Sequence, residues 1–434
     1  MYRFTRPASL LLTCGALLPS LGFAAAPIEE VIVSASRTER PLSTIPNTVT
    51  VINPAELEQQ LSIQDDLSTV LGNLIPGFSP SRQKMTNAGE TLRGRKPLYM
   101  IDGVPQSNPL RDGSREGNTI DPVVIERVEV LHGANAIHGM GASGGVINLI
   151  TRKPSDQLEQ SIRFSTGFQT EDMGESADYG ASYSVSNRFN NNADIIASIS
   201  LRDSGMAYDG HGDIVGADNA QGDTTDSDSW NAFVKGGYDW DEQRIELMIN
   251  HYKVENKNRW IAVPGDVSEG IPSSAVRGEI IGEGSSNEVT AISLNYTNDD
   301  FLGHKLRVQG FSQDFAGTYG ADVVPSATFQ DPAYGPNLLD QSQNNSEKLG
   351  AKITLVKDQF ANLPVNIIYG VDVIQDETWQ ELILTGRAWV PPTQYENIAP
   401  YLQAEFTGID KLTLTSGVRH EKSKLKVDDF TTLA

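Results

Sequence analysis

Between residues 157 and 434 the chain repeats one unit, a run of alternating apolar and polar residues followed by a connection, and the connections come in two lengths that take turns. Eleven runs read as strands by this alternation: 161–167, 179–186, 193–203, 230–238, 244–254, 289–296, 305–315, 348–356, 365–373, 398–406 and 412–419. The pattern is plainest in Arg244-Ile245-Glu246-Leu247-Met248-Ile249-Asn250 and in Lys411-Leu412-Thr413-Leu414-Thr415. Links after the second, fourth, sixth, eighth and tenth runs are short, as in Asn187-Arg188-Phe189-Asn190-Asn191-Asn192 or Gly408-Ile409-Asp410-Lys411. From the third run onward the others are long, spanning about 204–229, 255–288, 316–347 and 374–397. Strict taking of turns puts tight turns on one side and long loops on the other, which is the plan of a transmembrane antiparallel barrel. A secreted β-sandwich or propeller also has short strands at intervals, but nothing in those folds sorts connections by length.

Hydropathy fits a barrel and excludes helical spans. No stretch approaches the roughly 18 consecutive apolar residues a membrane helix needs, and the mean hydropathy is -0.31, as expected when every second strand residue is polar. A net charge of -22 excludes a nucleic-acid partner, which would require clustered Lys and Arg. Residues 1–24 read as a secretory signal peptide: Arg3 and Arg6, a largely apolar stretch 10–21, then Gly22-Phe23-Ala24. Cys14, the only cysteine, lies inside that segment; a lipidated Cys14 is the other reading, against which Thr13 stands where a small Gly or Ala is expected. An exported chain without further cysteine has no disulfide framework.

Residues 29–153 have a different, mixed texture. Residues 54–61, Pro-Ala-Glu-Leu-Glu-Gln-Gln-Leu after Asn53, read as a capped helix, with short apolar strands elsewhere. Before it, Glu29-Glu30-Val31-Ile32-Val33-Ser34-Ala35-Ser36 is an extended β-branched run, able either to add to a partner's sheet edge or to serve as a first strand of its own domain. Leu98-Tyr99-Met100-Ile101 runs into an Asp102-Gly103 turn. Ile125-Glu126-Arg127-Val128-Glu129-Val130-Leu131 describes a strand with one charged face, and the glycines of 139–145 describe tight turns. Gly141-Ala142-Ser143-Gly144-Gly145 imitates a nucleophile elbow, but the β-branched Val146-Ile147 follows where a helix is required, so no catalytic residue is assigned. Asp209, Asp213, Asp218, Asp223, Asp226 and Asp228 crowd one loop without EF-hand spacing; a solvated acidic loop and a structural Ca²⁺ both fit, and no metal ligand is assigned.

Taken in order, Leu92-Arg93-Gly94-Arg95, Ile101-Asp102-Gly103-Val104, Ile125 to Leu131 and Gly144-Gly145-Val146-Ile147-Asn148 resemble the plug domain of TonB-dependent outer-membrane receptors, with a TonB box at 29–36. The resemblance implies a membrane all-β barrel with an N-terminal α+β plug domain: plug at 40–153, barrel from 157 to 434, in the outer membrane of a Gram-negative bacterium. Within the family, Arg93-Gly94-Arg95, Asp112-Gly113-Ser114-Arg115 and residues 422–430 are most similar to receptors for ferric aerobactin and related citrate-hydroxamate siderophores; His138 stands where a Tyr is common. A monomer without a resident cofactor is expected, its transported ligand a ferric siderophore. Ligand contacts are expected from Ser107, Asn108, Arg111 and Arg115 and from the loop aromatics Trp260 and Tyr319. Guanidinium groups suit an anionic ferric complex, since they bind carboxylates bidentately; plug-to-barrel bonding is the competing role, with Arg93 and Arg95 its first candidates. Glu30, Val31, Ile32, Val33 and Ser34 would pair with a TonB-type energy-coupling protein by β-augmentation.

Width sets a further expectation. Eleven strands close on a diameter of roughly 22 Å, whereas a plug of some 125 residues is about 35 Å across and needs the roughly 44 Å of 22 strands. The chain therefore reads as carrying the N-terminal half of its barrel, and an unpartnered last strand in lipid would leave backbone groups unsatisfied. The rival to an importer is a non-transporting remnant or an outer-membrane binding protein.

Overall fold

The structure is a computed structural model that describes residues 32–33, 37, 40–41, 48–64, 66–106, 115–134, 136–139, 141–190, 192–321, 340–410 and 412–431. The signal peptide, Glu30, Val31 and Ser34 of the expected box, and Ser107, Asn108 and Arg111 lie outside the described residues. Nearest the N-terminus, β1 (Ile32–Val33) pairs antiparallel with β2 (Arg40–Pro41).

The small domain that follows contains β3 (Val49–Ile52), α1 (Pro54–Leu61), α2 (Leu67–Leu74), β4 (Leu98–Ile101), β5 (Val104–Pro105), β6 (Ile125–His132) and β7 (Gly145–Thr151). Its sheet runs β3-β6-β7-β4-β5, parallel only between β4 and β7. Helix α1 starts as expected: the Asn53 side chain accepts the Glu56 N–H at 3.0 Å and the Glu56 carboxylate accepts the Asn53 N–H at 3.1 Å, a reciprocal cap worth about 1 kcal/mol. Helix α2 was not anticipated. Asp66 caps it through the Thr69 N–H, and Leu67, Val70 and Leu71 share its buried face, but eight residues are too few for helical spacing to stand out from a short apolar strand. Leu57, Val70 and Leu71 pack with Val128, Val130, Ile147 and Leu149, each side chain contributing about 1.5–3 kcal/mol on burial.

The remainder is one antiparallel sheet: β8 (Glu159–Gly167), β9 (Asp178–Phe189), β10 (Ala193–Ser204), β11 (Ser227–Trp240), β12 (Gln243–Asn256), then, after a separate hairpin of β13 (Trp260–Val263) and β14 (Ser274–Arg277), β15 (Ser286–Phe301), β16 (His304–Thr318), β17 (Ser342–Lys357), β18 (Val365–Leu382), β19 (Ala388–Ile409), β20 (Leu412–Arg419) and β21 (Lys422–Val427). Each of the eleven expected runs falls on its own strand and neighbours pair in sequence order, while β21 continues the last strand along β19. Among the described residues β8 and β20 each have one neighbour in the sheet, so the wall is open.

One expected loop is wrong. Residues 374–397 are mostly strand, because β18 and β19 run on until only 383–387 separate them. Pro391 and Pro392 disguised this; they lie where the β18–β19 register slips between Thr378 and Glu381, and such irregularities tolerate a residue without an N–H.

Burial along the wall is inverted relative to a water-soluble sheet. Ile195, Ile199, Leu201, Val234, Ile249, Ile292, Leu294 and Leu402 are exposed, whereas Asp194, Ser200, Lys235, Asn250 and Ser293, on the opposite face, are buried. A continuous apolar outer face of this extent requires lipid around it. Tyr238, Trp240 and Tyr296 stack in succession at 5.9 and 6.1 Å near the short-turn end, where an aromatic girdle meets the membrane interface. On the inner face, Ile196, Phe233 and Met248 of the wall join the small domain's core. The charged face expected for β6 is accordingly covered, with Glu129 fully buried beside Arg127.

Gly144 marks how tightly β7 enters this sheet: an added Cβ would lie 2.5 Å from the Lys96 carbonyl oxygen and 2.7 Å from that of Arg95. Gly144→Ala is expected to destabilise the small domain by about 1–3 kcal/mol, read as faster amide hydrogen exchange in β4 and β7.

Candidate functional site

Among the places where the inner wall grips the small domain and the tail before it, four bear on function. The first is the turn joining β4 to β5, where Asp102 and Gly103 both adopt positive φ. Lys235 of β11 reaches the Asp102 carboxylate at 3.0 Å, Gln309 of β16 donates to the Asp102 carbonyl at 3.0 Å, and Lys352 of β17 donates to the Gly103 carbonyl. Lys348 reaches the Pro105 carbonyl at 3.2 Å and Gln313 bonds Gln106 at 2.7 Å. These lysines lie on strand faces opposite the apolar ones, so parity alone points them inward; sequence reading passed over them because each is a single charge within a strand.

The second is Arg115. Its guanidinium is buried and donates to the carbonyls of Ser286 at 3.0 Å and Thr318 at 3.3 Å and to the Asn287 side chain, with the Tyr319 ring 4.6 Å beneath it. Burial lowers its pKa, and the acceptors around it are neutral. Arg115 and Tyr319, both expected to touch ligand, therefore meet each other in a plug-to-wall joint. Trp260 is elsewhere: it packs with Met206, Tyr208 and Ala275 under the β13–β14 hairpin, with Arg277 5.7 Å above the ring.

The third is Asp121, whose carboxylate accepts from Ser200 Oγ at 2.6 Å and whose N–H donates to Asn231 at 3.0 Å. Burial raises its pKa, opposed by the Ser200 and Val123 hydrogen bonds. The fourth is Arg37, four residues after Val33. It makes a bidentate pair with Asp372 of β18, Nη1 at 2.7 Å, and lies 4.5 Å over the Tyr401 ring; Arg419 of β20 holds the same carboxylate at 2.7 Å.

A folded globule is thus bonded to the polar concave face of a lipid-facing wall. Residues 41–146 match the family model of the TonB-dependent Receptor Plug Domain. The small domain is a TonB-dependent receptor plug, and the chain is similar to such receptors along most of its length. It is 29% identical over 440 residues to the ferric aerobactin receptor of Klebsiella pneumoniae, covering 93% of this chain and 56% of that one. The rhizobactin receptor of Rhizobium meliloti is 27% identical over 427 residues, with 93% and 56% covered. The chain spans about half the length of the curated relatives it matches. Among solved structures, a ferric enterobactin receptor from Pseudomonas aeruginosa superposes with a TM-score of 0.65 at 14% identity, covering 91% of this chain and 59% of that one. The siderophore receptor PirA from Acinetobacter baumannii gives 0.63 at 17%, covering 86% and 56%. At such identities these two show the fold. The wall that grips this plug lies in the outer membrane of a Gram-negative bacterium.

Two outcomes follow from the joints. Arg115→Ala removes the donor shared by the Ser286 and Thr318 carbonyls and the Asn287 side chain and is expected to weaken plug docking by about 2–3 kcal/mol, measured as a lower midpoint for plug release in urea. Because the docked pKa of Asp121 is raised above the undocked value, docking is strongest below the undocked pKa and weakens as pH rises from there through the docked pKa. Asp121→Asn should flatten that part of the pH profile of the same midpoint.

Proposed function

We propose that this receptor imports a ferric siderophore of the citrate-hydroxamate type across the outer membrane, acting as a monomer and driven by a TonB-type energy-coupling protein. The observation carrying this reading is similarity to receptors named for ferric aerobactin and rhizobactin that runs through plug and wall alike, 93% of the chain, rather than through the plug alone. The bound species would be a ligand whose carboxylates make its ferric complex anionic. Ser107, Asn108 and Arg111 would meet it, with Arg115 acting as a positioning residue that ties the end of their segment to β15 and β16. Trp260 would serve by supporting the β13–β14 hairpin among the long loops, and Tyr319 by carrying Arg115.

Energy has to come from outside, because tight capture means slow release. The segment Glu30, Val31, Ile32, Val33 and Ser34 would pair with the periplasmic partner as an added strand. Ile32 and Val33 already pair with Pro41 and Arg40, so the partner's strand replaces a two-residue ladder, and a pull on it reaches Arg37 next.

Binding is tested with the full chain in outer-membrane vesicles, titrated with ferric aerobactin and, in parallel, with ferric enterobactin and haem. Saturable binding of the first at submicromolar concentration is expected, with at least about tenfold weaker binding of the others, a difference of about 1.4 kcal/mol; equal or reversed preference overturns the assignment. Val33→Pro removes a strand N–H and is expected to lower affinity for the periplasmic partner by about tenfold in a pull-down titration.

A further inference from the structure

A narrow groove of about 20 Å³ separates the plug from the inner face of β8, β9 and β10, and its lining includes Arg152, Arg163, Ser161, Ser182, Ser184 and Ser198. Arg152 follows β7, and its backbone is fixed by an N–H bond to the Val124 carbonyl at 2.9 Å. Its guanidinium, half-buried, has no hydrogen-bond or ion-pair partner among the described residues. Burial depresses its pKa first and the neighbouring Arg163 adds to that. The carboxylates nearby are engaged or in solvent: Glu58 takes Arg163, Glu126 takes Arg127 and the Lys153 N–H, and Glu159 is exposed. Ser198 donates to the Tyr183 carbonyl, while the hydroxyls of Ser161, Ser182 and Ser184 have no side-chain hydrogen bond among the described residues.

A spare guanidinium facing spare hydroxyls is a donor set without an acceptor, and a partly desolvated guanidinium bonds carboxylate or sulfonate oxygens more strongly than it bonds water. The groove lies about midway along the wall, below the long loops: Ser161 and Ser198 both face Ser184 in the ladder, and Ser198 is at the middle of β10. We propose that this groove is an anion-selective relay site, in which Arg152 and the serine hydroxyls take the carboxylates of a ligand that has left the outer binding position. The proposal rests on the importer reading above for the identity of that ligand, but its anion selectivity stands on the groove alone. The groove as it stands has room for about one water, so a carboxylate enters by displacing that volume and shifting side chains, and a whole ferric complex needs the plug itself to shift.

The test introduces one thiol, Ser182→Cys, in the full chain with Cys14→Ser, held in outer-membrane vesicles. The labelling rate is measured with an anionic reagent, sulfonatoethyl methanethiosulfonate, and with its cationic trimethylammonioethyl counterpart, each normalised to the rate with a small free thiol. The normalised anion-to-cation ratio is expected to be at least roughly threefold, as one partly screened charge a few ångströms away produces. Arg152→Gln should bring the ratio close to one and Arg152→Lys should retain it, which separates a charge effect from a packing effect. A ratio near or below one in the Ser182→Cys background, a ratio unmoved by Arg152→Gln, or no labelling by either reagent overturns the proposal. Ferric aerobactin binding is titrated on the same vesicles: loss of binding with the anion preference intact counts against the importer reading alone, and intact binding without the preference counts against the groove alone.

Discussion

Everything in this molecule follows from a wall with lipid on one side. The outward face must be apolar, so the strands' polar residues all point inward, and there they must find hydrogen-bond partners or water. The plug supplies them. Lys235, Lys348, Lys352, Gln309 and Gln313 converge on five consecutive residues, Asp102 to Gln106, largely on backbone carbonyls. Contacts to backbone atoms specify a shape rather than a side chain, which is why a short hairpin with two positive-φ residues can be the part most closely held.

That division explains what the chain's sequence discloses. Strand alternation, turn length and the Asn53 cap are local, and all were legible. Helix α2 was not, since Leu67, Val70 and Leu71 fit an apolar strand as well as a two-turn helix. Residues 374–397 were misread for another reason: beyond the lipid both faces of β18 and β19 are polar, so the period-two signal fades although the ladder of hydrogen bonds continues. At the site the limits were set by distance along the chain. Arg115 lies 171 residues from Ser286 and 203 from the Thr318 carbonyl, and no pattern within either stretch announces that they meet. Its charge suggested a ligand; its burial among neutral acceptors shows a joint.

The joints also differ in kind. The hairpin and Arg115 are held through many bonds spread over several strands, whereas Asp121 is held to the wall by two, from the Ser200 hydroxyl and to the Asn231 side chain. A load applied at the N-terminus would therefore meet the plug's contacts unequally, and the segment from β1 to Arg37, which has a two-residue ladder and one side-chain anchor, stands first in line.

That anchor is built so that it can be vacated. Asp372 has two guanidinium partners, and only one of them belongs to the N-terminal tail. When Arg37 leaves, Arg419 stays, so the wall is not left with a bare buried carboxylate and needs no rearrangement before the tail comes back. Under the pull proposed above, duplicate occupancy of one acceptor would let the fastening open and reclose without exposing the wall's charge.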